Sequence, residues 1–271
     1  MKRLARVLLA ASALASLPAP ASRAQVAQGS IAYSPGNSRY RITSVVTRSQ
    51  EYAGQQSEFR ITNEQQVSVD LTRGSSDTLG FRYTVDSSRV DAEPRIPLPD
   101  VSRLIGTTVS GTMSPHGKVY EMTSNAADSD ADARNLVEGM RRFLPPLPED
   151  VAVGRSWTDT TINTVSGSGG TLDMTAITTS KVVGDTTVRG ESAWLVQRSS
   201  VMSIHGTQNQ AGQELQVEGD GTGTGTHLLG SNGVYLGSTA VQRMNMKITI
   251  PSTGQTVPVS QVVTSIVERI R

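Results

Sequence analysis

No cysteine occurs anywhere in the 271 residues. That absence excludes disulfides, thiolate metal sites, a cysteine nucleophile and the lipid-modified cysteine of an exported lipoprotein. Aromatic residues make up only 4% of the chain, which argues against an outer-membrane barrel with its aromatic girdles. The formal net charge is +1, without the basic face that a nucleic-acid partner needs. The three histidines, His116, His205 and His227, show no close spacing that would set two imidazoles on one face for a metal.

Long apolar runs are also missing, with one exception. Lys2, Arg3 and Arg6 precede an apolar stretch from Val7 to Leu17, and small residues and prolines follow. These are the three parts of a secretory leader, with Ser22 and Ala24 at the small-residue positions before a cleavage site after Ala24, and Ala21 as the second choice. The stretch is too short for a bilayer, which takes roughly 20 residues. Removing Lys2, Arg3, Arg6 and Arg23 takes four positive charges from +1 and leaves −3. The mature chain is therefore expected in the periplasm or the medium, with no membrane-spanning segment.

What the chain does have is alternation. Phe59, Ile61, Val67, Val69 and Leu71 share one parity, with Arg60, Thr62, Glu64, Gln66, Ser68 and Asp70 between them, as in a half-buried strand. Asn63 and Gln65 interrupt the apolar face, which suits a bulge or a polar opening. The period recurs at Phe81, Tyr83 and Val85, and at Met244, Met246, Ile248 and Ile250. Further strands are expected at about 39–49, 106–113, 117–123, 156–164, 170–183, 192–205 and 213–227. Residues 257–270 also fit a helical stripe, but their β-branched content favours a strand. The fold class is mainly β, with curved antiparallel sheet.

One segment reads as helix, Ser129 to Leu144. Ser129 or Asp130 would cap it, Arg141 and Arg142 close its last turn, and Pro145 and Pro146 stop it. Leu136, Val137, Met140, Phe143 and Leu144 form its apolar stripe. This helix divides an N-terminal β half (25–144) from a C-terminal one (145–271), either as two units or as one continuous domain. GTMSPHGKVYEMTS (111–124) and GTHLLGSNGVYLGST (225–239) echo one another as strand, glycine turn and Val-Tyr, so a duplicated β unit and chance matching both remain open.

The densest composition bias is GDGTGTGT, where Gly219, Gly221, Gly223 and Gly225 alternate with Asp220, Thr222 and Thr224. No Lys-Ser/Thr pair opens a helix after it, so it is not a phosphate loop, and the strand-to-helix setting of a dinucleotide loop is missing too. A strand here has one bare face, which permits a sharp bend, close approach by another element such as the helix, or a ligand. Ser231-Asn232-Gly233 is a hairpin turn. Pro115-His116-Gly117 is its counterpart, with His116 an exposed turn residue. Asp128, Asp130 and Asp132 imitate the start of a calcium loop, but Ala133 and Gly139 stand where glycine and glutamate are required. No Gly-x-Ser-x-Gly elbow and no paired carboxylates occur.

The segment PLPEDVAVGRSWTDT, Pro146 to Thr160, resembles one found in exported bacterial β-rich proteins of unknown function. With a long curved sheet and few helices, the chain is also similar to the envelope lipoprotein-carrier folds. That resemblance implies a strongly bent antiparallel sheet wrapped around a helix, enclosing an apolar cavity for lipid chains, and it carries over no catalytic residue. The missing lipobox cysteine and the single helix depart from those proteins. Trp157 would anchor the core at a strand start, with Gly154 in the preceding turn.

The expected function is a non-enzymatic binding module of the cell envelope, holding an apolar ligand or a lipidated partner on the concave sheet, with no cofactor and no metal. Gly221, Gly223, Gly225, Met244 and Met246 are the candidate ligand-binding residues. Met113, Met122, Met174 and Met202 suit the same surface, because thioethers adapt to irregular apolar shapes, and they suit a core equally well. The alternative is a structural or protein-interaction β module without a small ligand.

Overall fold

The computed structural model describes residues 31–270 apart from positions 53, 76, 95–97, 99, 127–130, 150–151, 168–169 and 211. The leader, the helix cap at Ser129 or Asp130, and Asp128 and Asp130 of the calcium-like run lie outside the described residues.

Eleven antiparallel strands form one open sheet. In chain order they are β1 (Gly36–Tyr52), β2 (Gln55–Arg73), β3 (Leu79–Glu93), β4 (Thr108–Met113), β5 (Val119–Ser124), β6 (Ser156–Gly167), β7 (Gly170–Val188), β8 (Glu191–Gln210), β9 (Gln213–Gly230), β10 (Tyr235–Ile250) and β11 (Gln255–Ile270). A short 3-10 turn spans Ser102–Leu104, and helix α1 (Ala131–Met140) lies in the β5 to β6 connection. The spatial order is β5-β4-β3-β2-β1-β11-β10-β9-β8-β7-β6, so strands from both halves of the chain share the sheet through the β1–β11 pair.

The helix is shorter than the sequence suggests. It ends at Met140, and a tighter turn follows in which Arg142 N–H donates to Gly139 O at 3.2 Å and Phe143 N–H to Met140 O at 3.1 Å. Pro145 and Pro146 lack the N–H groups that would extend the ladder, and the residue before a proline is pushed toward extended backbone. The expected stripe of Leu136, Val137, Met140, Phe143 and Leu144 nevertheless packs against the core.

Phe143 shows which way the sheet bends. Its ring centroid lies 5.1 Å from Tyr40, 5.5 Å from Tyr83 and 5.7 Å from Tyr235, on β1, β3 and β10. Strands β3 and β10 are four steps apart, about 19 Å on a flat sheet, yet the shared contact holds their two rings within about 11 Å. The sheet is therefore concave toward α1 and the proline segment, which close one end of it. Tyr33 ties this closure down, donating from its hydroxyl to Pro145 O at 2.8 Å.

Bulges set which side chains face inward. Gln66 pairs with Ser87 and Val67 with Val85, leaving Asp86 as an extra residue on β3. The interruption expected near Asn63 and Gln65 on β2 thus falls on the strand beside it. Because a one-residue slip exchanges the two faces, Val90 and Ala92 join the inner face and Arg89 and Asp91 turn outward. Ser68 donates to Asp86 at 2.7 Å and Arg39 approaches it at 3.5 Å. β11 carries Val259, Val263 and Val267 inward and Val262 and Ile266 outward. Aliphatic residues on both faces explain why its pattern also fits a helical stripe.

The two echoing turns flank one segment, Tyr33 and Ser34. Tyr33 N–H donates to Pro115 O at 2.7 Å and Ser34 N–H to Gly233 O at 3.1 Å. Gly233 has φ +81 and Gly117 has φ +82, as their turns require. His116 is half-buried rather than exposed, with its Nδ1 out of solvent, and its carbonyl accepts from Leu147 N–H at 2.8 Å where the proline segment comes in.

Candidate functional site

The glycine run forms the inner face of β9, and its threonines form the outer face. A Cβ on Gly219 would lie 2.5 Å from Asn245 O, one on Gly221 2.5 Å from Arg243 O, and one on Gly225 2.5 Å from Thr239 O. Backbone oxygens of β10 therefore occupy the space that side chains would fill. The run creases the sheet between β9 and β10, and the element that approaches is the neighbouring strand rather than the helix. Met244 and Met246, paired with Gly221 and Gly219, lean into the same space, each with its Cγ 2.8 Å from where the facing glycine's Cβ would be.

Between this crease and the segment 142–146 lies a cavity of about 240 Å³. Gly223 and Gly225 line it, whereas Gly221, Met244 and Met246 continue the same concave face beyond it. Met174, Ala176 and Met202 supply the apolar wall; Thr178, Ser200 and Gln242 supply polar groups; Arg142, Arg198, Asp159 and His227 supply charge or hydrogen bonding. Met113 and Met122 serve the core instead.

Arg198 reaches the cavity from β8, where it shares its parity with Val196, Met202 and Ile204. A guanidinium only donates hydrogen bonds, so its contact of 2.7 Å makes Nε2 of His227 the acceptor. Nδ1 then carries the proton and donates to the Tyr235 hydroxyl at 3.0 Å. Burial, with Arg198 adding to it, pushes the His227 pKa from 6.5 down to about 3, so the imidazole is neutral near pH 7. Burial also lowers the pKa of Arg198 and Arg142, though both remain cationic.

Arg142 enters from the turn after α1 and donates to Asn163 Oδ1. No carboxylate of the described residues stands within ion-pair distance, 4.0 Å, of either guanidinium. Asp159 lines the same cavity and acts on both arginines at longer range.

The histidines do not converge. His205 faces outward on β8, 4.0 Å from Asp173, while His227 faces inward on β9. No group of three or more His, Cys, Asp or Glu that could hold a metal occurs among the described residues. Trp157 is the second residue of β6 and packs against the core, after a turn in which Gly154 has φ +87.

Arg198 and Tyr235 were not read as site residues from the sequence, and Arg142 was read only as closing the last turn of the helix, which ends before it at Met140. A signal existed for Arg198, as a charged residue on the inward parity of an alternating strand. Arg142 gave none, because its place depends on where the helix stops.

No helix among the described residues is long and apolar enough to cross a membrane. No protein-family model matches the chain, and no curated protein matches it. Solved structures give only faint likeness. A chain from work on the asymmetric conductivity of engineered proteins is 9% identical at a TM-score of 0.28, over 85% of this chain and 100% of that one. OccK5 (OpdH) of Pseudomonas aeruginosa is 7% identical at 0.28, over 87% and 98%. A DUF1329 family protein from Desulfovibrio piger is 9% identical at 0.21, over 86% and 85%. Likeness at these scores carries no argument about what this chain does.

Proposed function

We propose that the protein is an exported, non-enzymatic binding module of the cell envelope, whose concave sheet face holds an apolar ligand or the lipid of a lipidated partner. One observation carries this reading: the inner face beyond the closing segment carries Met174, Ile204 and Met246 over the buried Met202, Met244 and Val259, with Gln242 and Gln261 among them, and opens into the cavity at Gly223 and Gly225. The outer face of the same strands carries threonine and charge together with the exposed Ile177 on β7, Val201 on β8 and Ile266 on β11. A concave, largely apolar surface with a few polar groups at one end is the usual form of a small-molecule site.

The absence of catalysis is part of the proposal. The one inward-facing histidine is bonded on both ring nitrogens, so neither is free to take a proton. Export is supported by the leader pattern alone, and N-terminal sequencing of protein from the periplasm or medium should begin at Gln25.

The ligand reading is tested with Nile red, a neutral apolar dye. The mature protein should take it up saturably with blue-shifted emission, and Met202→Gln with Met244→Gln should weaken uptake. No uptake by a folded sample would refute the reading.

A second reading, a protein-interaction module, is favoured by Ile162, Ile177 and Val201, which are 70%, 44% and 57% exposed on the outer face beside edge strand β6. If it is correct, Ile177→Lys with Val201→Lys abolishes recovery of an envelope partner while Nile red uptake is absent from the start.

A further inference from the structure

We propose that the cavity between the proline segment and the β9 crease is an anion site, which takes the carboxylate or phosphate headgroup of an acyl lipid while the acyl chain lies along the methionine-lined face. This deepens the reading of the concave face as an apolar binding surface and rests on it.

Two guanidiniums, Arg142 and Arg198, line one cavity of about 240 Å³. Each has a neutral acceptor, Asn163 Oδ1 and His227 Nε2 respectively. A guanidinium has five N–H donors, so each contact leaves donors unused. Among the described residues neither cation has a carboxylate within ion-pair distance; partly buried cations without such a partner are costly, and an entering anion converts that cost into charge-assisted hydrogen bonds. Among the described residues Asp159 is the one carboxylate that lines the cavity, and Glu138 acts on Arg142 from outside it.

The volume sets the ligand class. A few hundred Å³ holds a headgroup and not a whole lipid. Met174 and Met202 form the cavity wall, and Met244 and Met246 continue the inner face beyond Gly223. An occupant with an anionic end and an apolar tail satisfies both parts. The Ser200 hydroxyl, whose oxygen lies 2.4 Å from where a Gly223 Cβ would be, adds a donor to the same wall.

The test compares oleate with methyl oleate by titration calorimetry on delipidated mature protein, below the concentration at which either aggregates. Inorganic phosphate serves as a headgroup without a tail, and monooleoyl phosphatidate as the phosphate-headed lipid. Oleate and the phosphatidate should bind at least about tenfold more tightly than the ester, the loss expected for one charge-assisted hydrogen bond. Arg198→Gln and Arg142→Gln should each bring oleate down to the ester's affinity without changing the ester's. Asp159→Asn, at an exposed edge-strand position, should tighten oleate alone, which guards against a fold lost at Arg198.

Equal affinity for acid and ester in the unmodified protein overturns the anion site and leaves the apolar surface standing. Phosphate binding that Arg198→Gln abolishes, without lipid binding, keeps the anion site as one for free phosphate and overturns the apolar surface. Binding of none of the probes overturns both.

Discussion

Arg198 and His227 sit on adjacent strands, and the guanidinium of the first donates to Nε2 of the second at 2.7 Å. This fixes the histidine as the Nδ1–H tautomer and directs its proton to Tyr235, and it adds to the burial that keeps the ring neutral. It also puts a cation on the inner face of a sheet whose other inward residues there are mostly small or apolar.

Stability should fall with acid below the histidine range. In the unfolded chain His227 takes up a proton near pH 6.5, whereas in the folded chain its pKa is about 3. The depressed group contributes stability that is fully present above 6.5 and is lost as pH falls toward 3. The slope is at most about 1.4 kcal/mol per pH unit. Urea midpoints at pH 7.5, 6 and 5 should show this loss, and His227→Asn should flatten it; identical profiles for both proteins would rule out the neutral buried state.

Gly221→Ala should destabilise by about 1 to 3 kcal/mol, the usual cost of overpacking. The new Cβ meets Arg243 O at 2.5 Å, and backbone has nowhere to move. Gly223→Ala should cost less, because the atom it meets is the Ser200 hydroxyl, which can rotate away. Thr224→Val, on the outer face, should stay within about 0.5 kcal/mol. Equal and negligible effects of all three in chemical denaturation would contradict the crease.

Phe143→Ala should cost about 3 kcal/mol, the lower end for phenylalanine truncation, because the ring is only partly buried. It touches three tyrosines from three strands, so the loss spreads across the sheet. Phe143→Leu should recover part of it. A thermal melt unchanged by Phe143→Ala would mean that the helix segment does not hold the sheet's curve.

Tyr33→Phe should cost about 1 to 2 kcal/mol, since it removes the buried donor to Pro145 O. If the proline segment forms the cavity roof, the same change should also weaken oleate, measured by calorimetry. Lowered stability with unaltered oleate affinity would separate the clamp from the site.

Strand identity was legible because period-two alternation is a local property. Residues 59–71 and 244–250 show it without knowledge of their partners. The bulge at Asp86 was not legible in position, because it depends on how β2 and β3 register, and Asn63 and Gln65 point only to its neighbourhood. The helix was legible in its apolar stripe but not in its end. Gly139 and the two prolines each suit a stop, so the local sequence does not single out the residue at which the helix ends.

The candidate site was half legible. Glycine spacing marked the inner face of β9, and Gly223 and Gly225 do line the cavity. Gly221, Met244 and Met246 lie along the same face outside it, because the crease is filled by β10 itself. Arg142 and Arg198 come from elements far apart in sequence, and only the bend of the sheet brings them to one pocket.

The central claim is that the concave face carries a lipid-like ligand, and native mass spectrometry of the protein released from the envelope without detergent tests it most directly. The account predicts a mass above that of the chain from Gln25 to Arg271, lost on denaturation, with the released compound an acyl lipid bearing a carboxylate or phosphate. A spectrum showing only the bare chain, from protein that also fails to take up Nile red or oleate afterwards, would contradict it.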